Sequence, residues 1–125
     1  MTYLLDISTL IALLWETHEF HHRASKWIKG KKLATCPITE LGFLRVSVYA
    51  HGADLENART MLESFSEKYK PVLLACDISV REGNPAPTAG KTTDFYLANL
   101  ADKHGLKWAT VDEHIKHPAA VLLPR

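Results

Sequence analysis

The sequence predicts an α/β fold, a single domain with a small parallel β-sheet flanked by helices on both faces. Segments with strand character alternate with segments of helical periodicity, an order that is typical of parallel sheets. The strand segments are continuous apolar runs, as expected for strands that are covered on both sides. The 125 residues are 46% hydrophobic, and no repeat or linker divides them. We therefore expect one domain over residues 1–125.

The helices are predicted from the four-residue spacing of apolar side chains and from capping residues. Ser8 is placed to cap the first helix, and Gly30 to end the second. In the third helix, Leu41, Leu44 and Val48 are predicted to face the core. The fourth helix is predicted to turn Leu55, Ala58, Leu62 and Phe65 inward. The five predicted helices are Ser8–Trp15, His22–Lys29, one that starts at Thr39, one that starts at Asp54, and one from Thr92 or Thr93 to His104.

Short apolar runs between these helices are predicted as strands, and a long loop separates the third strand from the last helix. Residues 77–91 contain two Gly and two Pro without periodicity, and loops of this length are usually functional or mobile. The predicted strands are Thr2–Asp6, Leu33–Cys36, Val72–Cys76, Lys107–Val111 and Val121–Leu123.

Composition excludes several classes of protein. No apolar run approaches the roughly 18 residues that a membrane-spanning helix needs, so we expect no membrane association. The N-terminus has no basic region and carries Asp6 where a signal peptide would be apolar. Cys36 and Cys76 have no metal-type spacing, which favours buried thiols in a reducing cytoplasm over a disulfide.

Acidic residues are predicted to gather at the carboxyl edge of the sheet, where α/β proteins bind ligands. Asp6, Glu40 and Asp112 lie at or just beyond strand ends, and Asp94 lies in the first turn of the helix before the fourth strand. Carboxylates that converge on one edge repel one another unless a divalent cation lies among them, and oxygen ligands suit Mg²⁺ or Mn²⁺. The alternative is that each acid only interacts with a helix N-terminus.

Four segments resemble the PIN-domain ribonucleases, and in particular their VapC toxin branch. They are Leu4-Leu5-Asp6-Ile7-Ser8-Thr9-Leu10-Ile11-Ala12-Leu13, Ala34-Thr35-Cys36-Pro37-Ile38-Thr39-Glu40-Leu41-Gly42-Phe43-Leu44-Arg45-Val46, Thr93-Asp94-Phe95-Tyr96-Leu97-Ala98-Asn99-Leu100-Ala101 and Ala109-Thr110-Val111-Asp112. They occur in the family's order, and the likeness that they carry extends over nearly the whole chain. Residues 77–91 match no shared pattern, which leaves the choice of target RNA open.

The resemblance implies a function and a set of site residues. Asp6, Glu40, Asp94 and Asp112 would form the acidic site for Mg²⁺ or Mn²⁺, with Ser8 and Thr110 as supporting polar neighbours. The reaction would be endonucleolytic cleavage of RNA, as the toxin of a type II toxin–antitoxin system. A cognate antitoxin and a homodimer are the implied protein partners, and a housekeeping RNA-processing nuclease is the alternative within the family.

A different enzyme class is suggested by residues 18–22, which satisfy the HExxH pattern of zinc metalloproteases. His18 and His22 would bind zinc from one helix, Glu19 would act as general base, and Glu40 would be the third ligand. Gly30, together with a strand before the next helix, interrupts the path to Glu40. We therefore expect solvated histidines at a helix start.

Other signals have structural explanations beside functional ones. The basic run Arg23, Lys26, Lys29, Lys31 and Lys32 is either a solvated face or an RNA-backbone contact. Arg45 either reaches the acidic site or extends along the surface. Asp77 is expected to lie in a turn. The tryptophans are expected in the core: Trp15, Trp27 and Trp108. A non-catalytic binding module of this fold is disfavoured because all four acids are present.

Overall fold

The computed structural model describes residues 1–125 as a five-stranded parallel sheet with the strand order β3-β2-β1-β4-β5. The strands are β1 (Thr2–Leu5), β2 (Lys32–Thr35), β3 (Val72–Leu73), β4 (Lys107–Thr110) and β5 (Ala120–Leu122). The helices are α1 (Ile7–Leu14), α2 (His21–Trp27), α3 (Pro37–His51), α4 (Leu55–Tyr69) and α5 (Thr92–Lys103).

Helices cover both faces of the sheet, as the sequence predicts. Leu5 packs in a core with side chains of α1, α2, α3 and α4. The adjacent Leu4 points to the opposite face and packs with Trp108 and the apolar side of α5. Because successive side chains of a strand alternate between faces, β1 joins the two cores at the centre of the sheet.

The start of α1 differs from the prediction in a way that concerns the acidic edge. The helix begins at Ile7, so Asp6 is the N-cap residue and Ser8 lies inside the first turn. Ser8 is therefore not a cap. Its hydroxyl instead donates a hydrogen bond of 2.7 Å to Asp6 Oδ2.

The buried face of α3 also differs from the prediction. Leu44 is half-buried and packs against the core as predicted, and Val48 is half-buried. Leu41, however, is 59% exposed, and the buried residues of the helix are Thr39, Phe43 and Ser47. Hydrogen bonds fix this face: the Thr39 hydroxyl donates to the Leu5 carbonyl at 3.0 Å, and the Ser47 hydroxyl accepts from Trp15 Nε1. Polar groups that bond across the helix contact decided the orientation, and apolar spacing alone did not show it. Leu55, predicted inward, is also 55% exposed at the first position of α4.

The third strand is shorter than predicted, and the loop after it is fastened to α5. Only Val72 and Leu73 pair with β2, at the exposed edge of the sheet. Within residues 77–91 the regular structure is one short 3-10 turn, Ala89–Lys91. The Asn99 side chain holds the loop, since its Oδ1 accepts from the Asn84 N–H and its Nδ2 donates to the Asn84 carbonyl, both at 2.9 Å.

Both cysteines are free thiols, with Cys36 buried and Cys76 half-buried. None of the helices combines the length and the apolar character that crossing a membrane requires.

Candidate active site

Three of the predicted acids line one cavity of about 600 Å³ at the carboxyl edge of the sheet: Asp6, Asp94 and Asp112. Asp6 follows β1, and Asp112 comes two residues after the end of the neighbouring strand β4. Asp94 lies in the first turn of α5. The parallel pairing of β1 with β4 therefore brings together acids that are more than one hundred residues apart in sequence.

Asp6 is the most buried of these acids, with 3% of its surface exposed. Its Oδ2 accepts hydrogen bonds of 2.7 Å from the hydroxyls of both Ser8 and Thr110. Burial raises the pKa of Asp6, the two hydroxyls lower it in part, and the charge of Asp112 raises it further. Ser8 and Thr110 therefore fix the position of a carboxylate that the protein interior disfavours.

Asp94 is half-buried and has no hydrogen-bond partner that offsets its burial. Burial, followed by the charge of Asp6, raises the pKa of Asp94 from 3.8 to about 6. Asp112 adds a smaller like-charge effect, and Lys91 opposes it. Desolvation and mutual repulsion are the expected signature of carboxylates gathered to bind a cation.

Asp112 is held in its charged form by its neighbours. The backbone N–H of His114 donates to its Oδ1 at 2.8 Å, and Lys91 Nζ lies 3.2 Å from its Oδ2. The His114 N–H, with the Lys91 ammonium, lowers the pKa of Asp112. The Thr110 hydroxyl accepts from the Asp112 N–H at 3.0 Å, so one threonine positions both Asp6 and Asp112.

Glu40 lies in the first turn of α3 and is half-buried, at the same edge of the sheet. It is not among the side chains that line the cavity shared by the three aspartates. The neighbouring Thr39 ties α3 to the end of β1 through the Leu5 carbonyl. The structure thus brings Glu40 to the predicted edge but not into the lining of the cavity.

Helix capping does not explain the orientation of the Asp6 carboxylate. Asp6 occupies the N-cap position of α1, yet its side chain makes no capping hydrogen bond. Asp54 shows the contrast, because its Oδ1 accepts from the Asn57 N–H at 2.7 Å and caps α4. Asp6 Oδ2 instead accepts from the Ser8 hydroxyl in the first turn of α1 and from the Thr110 hydroxyl at the end of β4.

The donor set suits a hydrated divalent cation of the magnesium type. No three His, Cys, Asp or Glu side chains are close enough together to form a ready metal cage. Mg²⁺ commonly keeps several waters and is held by one or two carboxylates, so a closed cage is not required. The oxygen donors of Asp6, Asp94 and Asp112 in one cavity, two of them with raised pKa values, fit such an ion.

The HExxH pattern does not form a zinc site. α2 begins at His21, so His18 lies outside the helix and cannot pair with His22 at one-turn spacing on the same helix face. The His18 Nδ1 accepts a hydrogen bond from the Phe20 N–H at 3.0 Å. His22 is exposed, as expected for a solvated helix start.

Of the remaining candidates, all but Arg23 lie outside the cavity of the three aspartates. Arg45 is exposed and does not line the cavity. Asp77 is a loop residue that pairs at 2.8 Å with His104, the C-cap residue of α5. Trp27 and Trp108 are core residues as predicted, whereas Trp15 is half-buried. Within the basic run only Arg23 lines the cavity, while Lys26, Lys29, Lys31 and Lys32 are exposed.

Sequence reasoning missed Lys91 and the extent of the cavity. Lys91 precedes Asp94 by three residues, one helical turn, and that spacing is a signal that the two share a face. The cavity also extends to side chains of the α1–α2 turn and of the end of α3, among them Phe20 and His51. No local pattern connects these segments, because they meet only in the folded chain.

A parallel α/β sheet with aspartates gathered at its carboxyl edge defines a PIN-type domain, and the family model of the PIN domain matches residues 3–121. The chain belongs to the PIN-domain family. It is 33% identical over 118 residues to Ribonuclease VapC38 of Mycobacterium tuberculosis, covering 87% of this chain and 84% of that protein. It is 32% identical over 131 residues to Ribonuclease VapC29 of the same species, covering 99% and 98%. The VapC-type resemblance found in the sequence is confirmed.

A solved structure supports the fold independently. The chain superposes on a chain from the crystal structure of VapBC2 from Rickettsia felis bound to a DNA fragment from their promoter, with a TM-score of 0.64. The match covers 98% of this chain and 97% of the other, at 13% identity. The single-sheet α/β architecture is therefore shared with a chain of that complex.

Proposed function

We propose that this chain is a Mg²⁺- or Mn²⁺-dependent endoribonuclease, the toxin of a type II toxin–antitoxin pair, with Asp6, Asp94, Asp112 and Glu40 as its acidic residues. The observation that carries the proposal is that three aspartates line one cavity and that two of them have raised pKa values. The similarity to VapC ribonucleases over nearly the whole chain supports RNA as the substrate.

The chain's own residues would prepare the site for phosphodiester hydrolysis. A divalent cation, when bound, supplies charge neutralisation and an acidified water. Asp6 and Asp94 would bind the cation most directly. Asp112 and Glu40 would complete its set of ligands or orient the attacking water. Ser8 and Thr110 keep the Asp6 carboxylate in one orientation, as the partners of metal ligands commonly do.

A basic side chain of an antitoxin is the expected inhibitor of this site. Lys91 already brings an ammonium group to 3.2 Å from Asp112, so the edge accommodates an organic cation. Membership of the VapC branch, whose toxins are silenced by a partner protein, supports the pairing. Free thiols at Cys36 and Cys76 agree with action in the cytoplasm, where both RNA and antitoxin would be met.

A homodimer is the expected assembly. Apolar side chains on α3, the start of α4 and β3 are more than half exposed, an arrangement that favours a protein contact. They are Leu41, Leu55, Val72 and Leu73. Size-exclusion chromatography with light scattering tests this expectation, and a monomer at micromolar concentration would contradict it.

The direct test is RNA cleavage by the purified protein. We expect cleavage with Mg²⁺ or Mn²⁺, no cleavage with EDTA, and a loss of about 10²-fold in Asp6→Asn or Asp94→Asn, since each removes a metal-holding carboxylate. His22→Ala, which alters the rival HExxH pattern at an exposed position, should cleave RNA like the wild type. Hydrolysis of peptides with no cleavage of RNA would overturn the proposal.

The toxin role has a separate test in cells. Expression of the chain alone should arrest growth of a bacterial host, and co-expression with the product of an adjacent antitoxin gene should restore it. Asp94→Asn, which should be harmless alone, is the matched control. Harmless expression of a wild-type protein that cleaves RNA in vitro would favour a housekeeping nuclease over a toxin.

A further inference from the structure

The cavity that holds the aspartates continues along α1 to three aromatic rings. Ile7, Ser8 and Ile11 of α1 line it, with Asp6 just before the helix. α1 has eight residues, which corresponds to a length of about 12 Å. At the far end of this helix, His18, Phe20 and His51 line the same cavity, and we call these three residues the ring wall.

The ring wall is held in place by contacts that leave its members half-buried. His51 stacks on Trp15, the C-cap residue of α1, with ring centroids 4.9 Å apart and planes 17° apart. Trp15 is itself fixed by its hydrogen bond to Ser47. His18 lies 5.7 Å from the Phe20 ring and 6.2 Å from the His51 ring, so the rings form a continuous aromatic surface.

The hydrogen bonding of His18 leaves a donor available to a ligand. Its Nδ1 accepts from the Phe20 N–H, so a neutral His18 carries its proton on Nε2. Burial, together with nearby His51, lowers the pKa of His18, which favours the neutral ring. A neutral imidazole offers an aromatic face and an N–H donor, the two features by which proteins bind unstacked bases.

A positive charge beside the ring wall suits a nucleic-acid backbone better than an apolar peptide. The Arg23 guanidinium lies 5.1 Å from the centre of the Phe20 ring. Its hydrogen bonds go to the backbone carbonyls of Leu123 and Pro124, and no carboxylate pairs with it. Arg23 therefore forms no salt bridge, and although its charge interacts with the Glu113 carboxylate of the same cavity, it remains able to bind a phosphate.

We propose that the ring wall is a base-binding subsite, on which one base of a single-stranded RNA stacks while a phosphate farther along the strand lies at the aspartates. This inference rests on the proposed function, because it assigns the RNA strand its path through the same cavity. Stacking on His18 and His51 selects for an unpaired base, so the subsite restricts cleavage to single-stranded or looped RNA.

The test measures binding separately from cleavage. Oligoribonucleotides that carry 2-aminopurine at one position each are titrated with Asp94→Asn protein, and fluorescence quenching reports stacking of that base. We expect quenching at one position beyond the cleaved bond. The substitution His51→Leu should remove this quenching and raise the Kd about tenfold, which is about 1.4 kcal/mol and within the range for stacking of one base.

Matched variants separate stacking from folding. His51→Phe keeps a ring against Trp15 and should retain the quenching. His18→Asn keeps an acceptor for the Phe20 N–H while it removes the ring, and should weaken binding. Tyr49→Leu removes an aromatic ring that is 82% exposed on the same helix α3, outside the cavity, and should bind like the parent.

The outcomes distinguish the subsite from the nuclease. Wild-type protein that cleaves RNA, with no quenched position and an unchanged Kd in His51→Leu, overturns the ring-wall proposal alone. Wild-type protein that leaves RNA intact overturns the proposed function. Loss of antitoxin neutralisation in His51→Leu, with RNA binding unchanged, assigns the wall to the protein partner and likewise overturns the base-binding proposal.

Discussion

Replacing Asp94 with asparagine is expected to stabilise the metal-free protein at neutral pH. The fold raises the pKa of Asp94 from 3.8 to about 6 through burial and the charge of Asp6. A difference of about two pKa units corresponds to about 3 kcal/mol against the charged form. Asp94 is only half-buried, so solvent screening reduces this value, and we expect a gain of about 1–2 kcal/mol.

The pH dependence of this gain follows from the sign of the shift. The folded state holds the Asp94 proton more tightly than the unfolded state, so wild-type stability falls as the pH rises from about 4 through about 6. The asparagine side chain of the variant does not titrate in this range. The stability difference between Asp94→Asn and wild type should therefore be full above pH 6 and vanish below about pH 4, measured by urea unfolding in EDTA.

Metal should reverse the order of stability. At a hundredfold excess over its Kd, Mn²⁺ stabilises a folded protein by about 2.7 kcal/mol, which raises the melting temperature of a domain of this size by about 10 °C. Wild type should show this rise, and Asp94→Asn should show a smaller one because it lacks a ligand. Glu56→Gln, at an exposed acid in the first turn of α4, is the control and should keep the full rise.

One result would refute this reasoning. If Asp94→Asn is less stable than wild type in EDTA at pH 7 and still gains the full Mn²⁺ shift, Asp94 stabilises the fold as a first-turn acid. The acids would then be structural, and the proposed nuclease site would lose its physical basis.

Two further substitutions test the support of the site. Thr110→Val keeps the shape but removes the hydroxyl that donates to Asp6, so cleavage or Mn²⁺ affinity should fall about 10- to 100-fold, and unchanged kinetics would contradict a positioning role. Gly42→Ala would place a Cβ 2.3 Å from Ile7 Cδ1 at the start of α1, so it should lower the melting temperature measurably. Gly90→Ala, whose nearest neighbouring atom is 4.0 Å away, is the matched control and should not.

The sequence by itself determined the fold class and the edge where the acids lie. Apolar runs that end at Asp6 and shortly before Asp112 predict parallel strands, and parallel strands bring their carboxyl ends together wherever they stand in the sheet. The order of the elements along the chain was correct for the same reason: helical spacing and turn residues are local properties. Strand ends shifted by one residue, and β3 kept only two of its five predicted residues, because pairing with a neighbour decides where a strand stops.

Only the tertiary structure decided which side chains share the cavity and what their environments do to them. The sequence placed Glu40 in one site with the three aspartates, yet the cavity is lined by the aspartates without it. Lys91 reaches Asp112, and His51 reaches His18, across segments that no spacing rule relates. Burial, like-charge repulsion and ring contacts depend on distances between remote segments, and those distances exist only once the chain has folded.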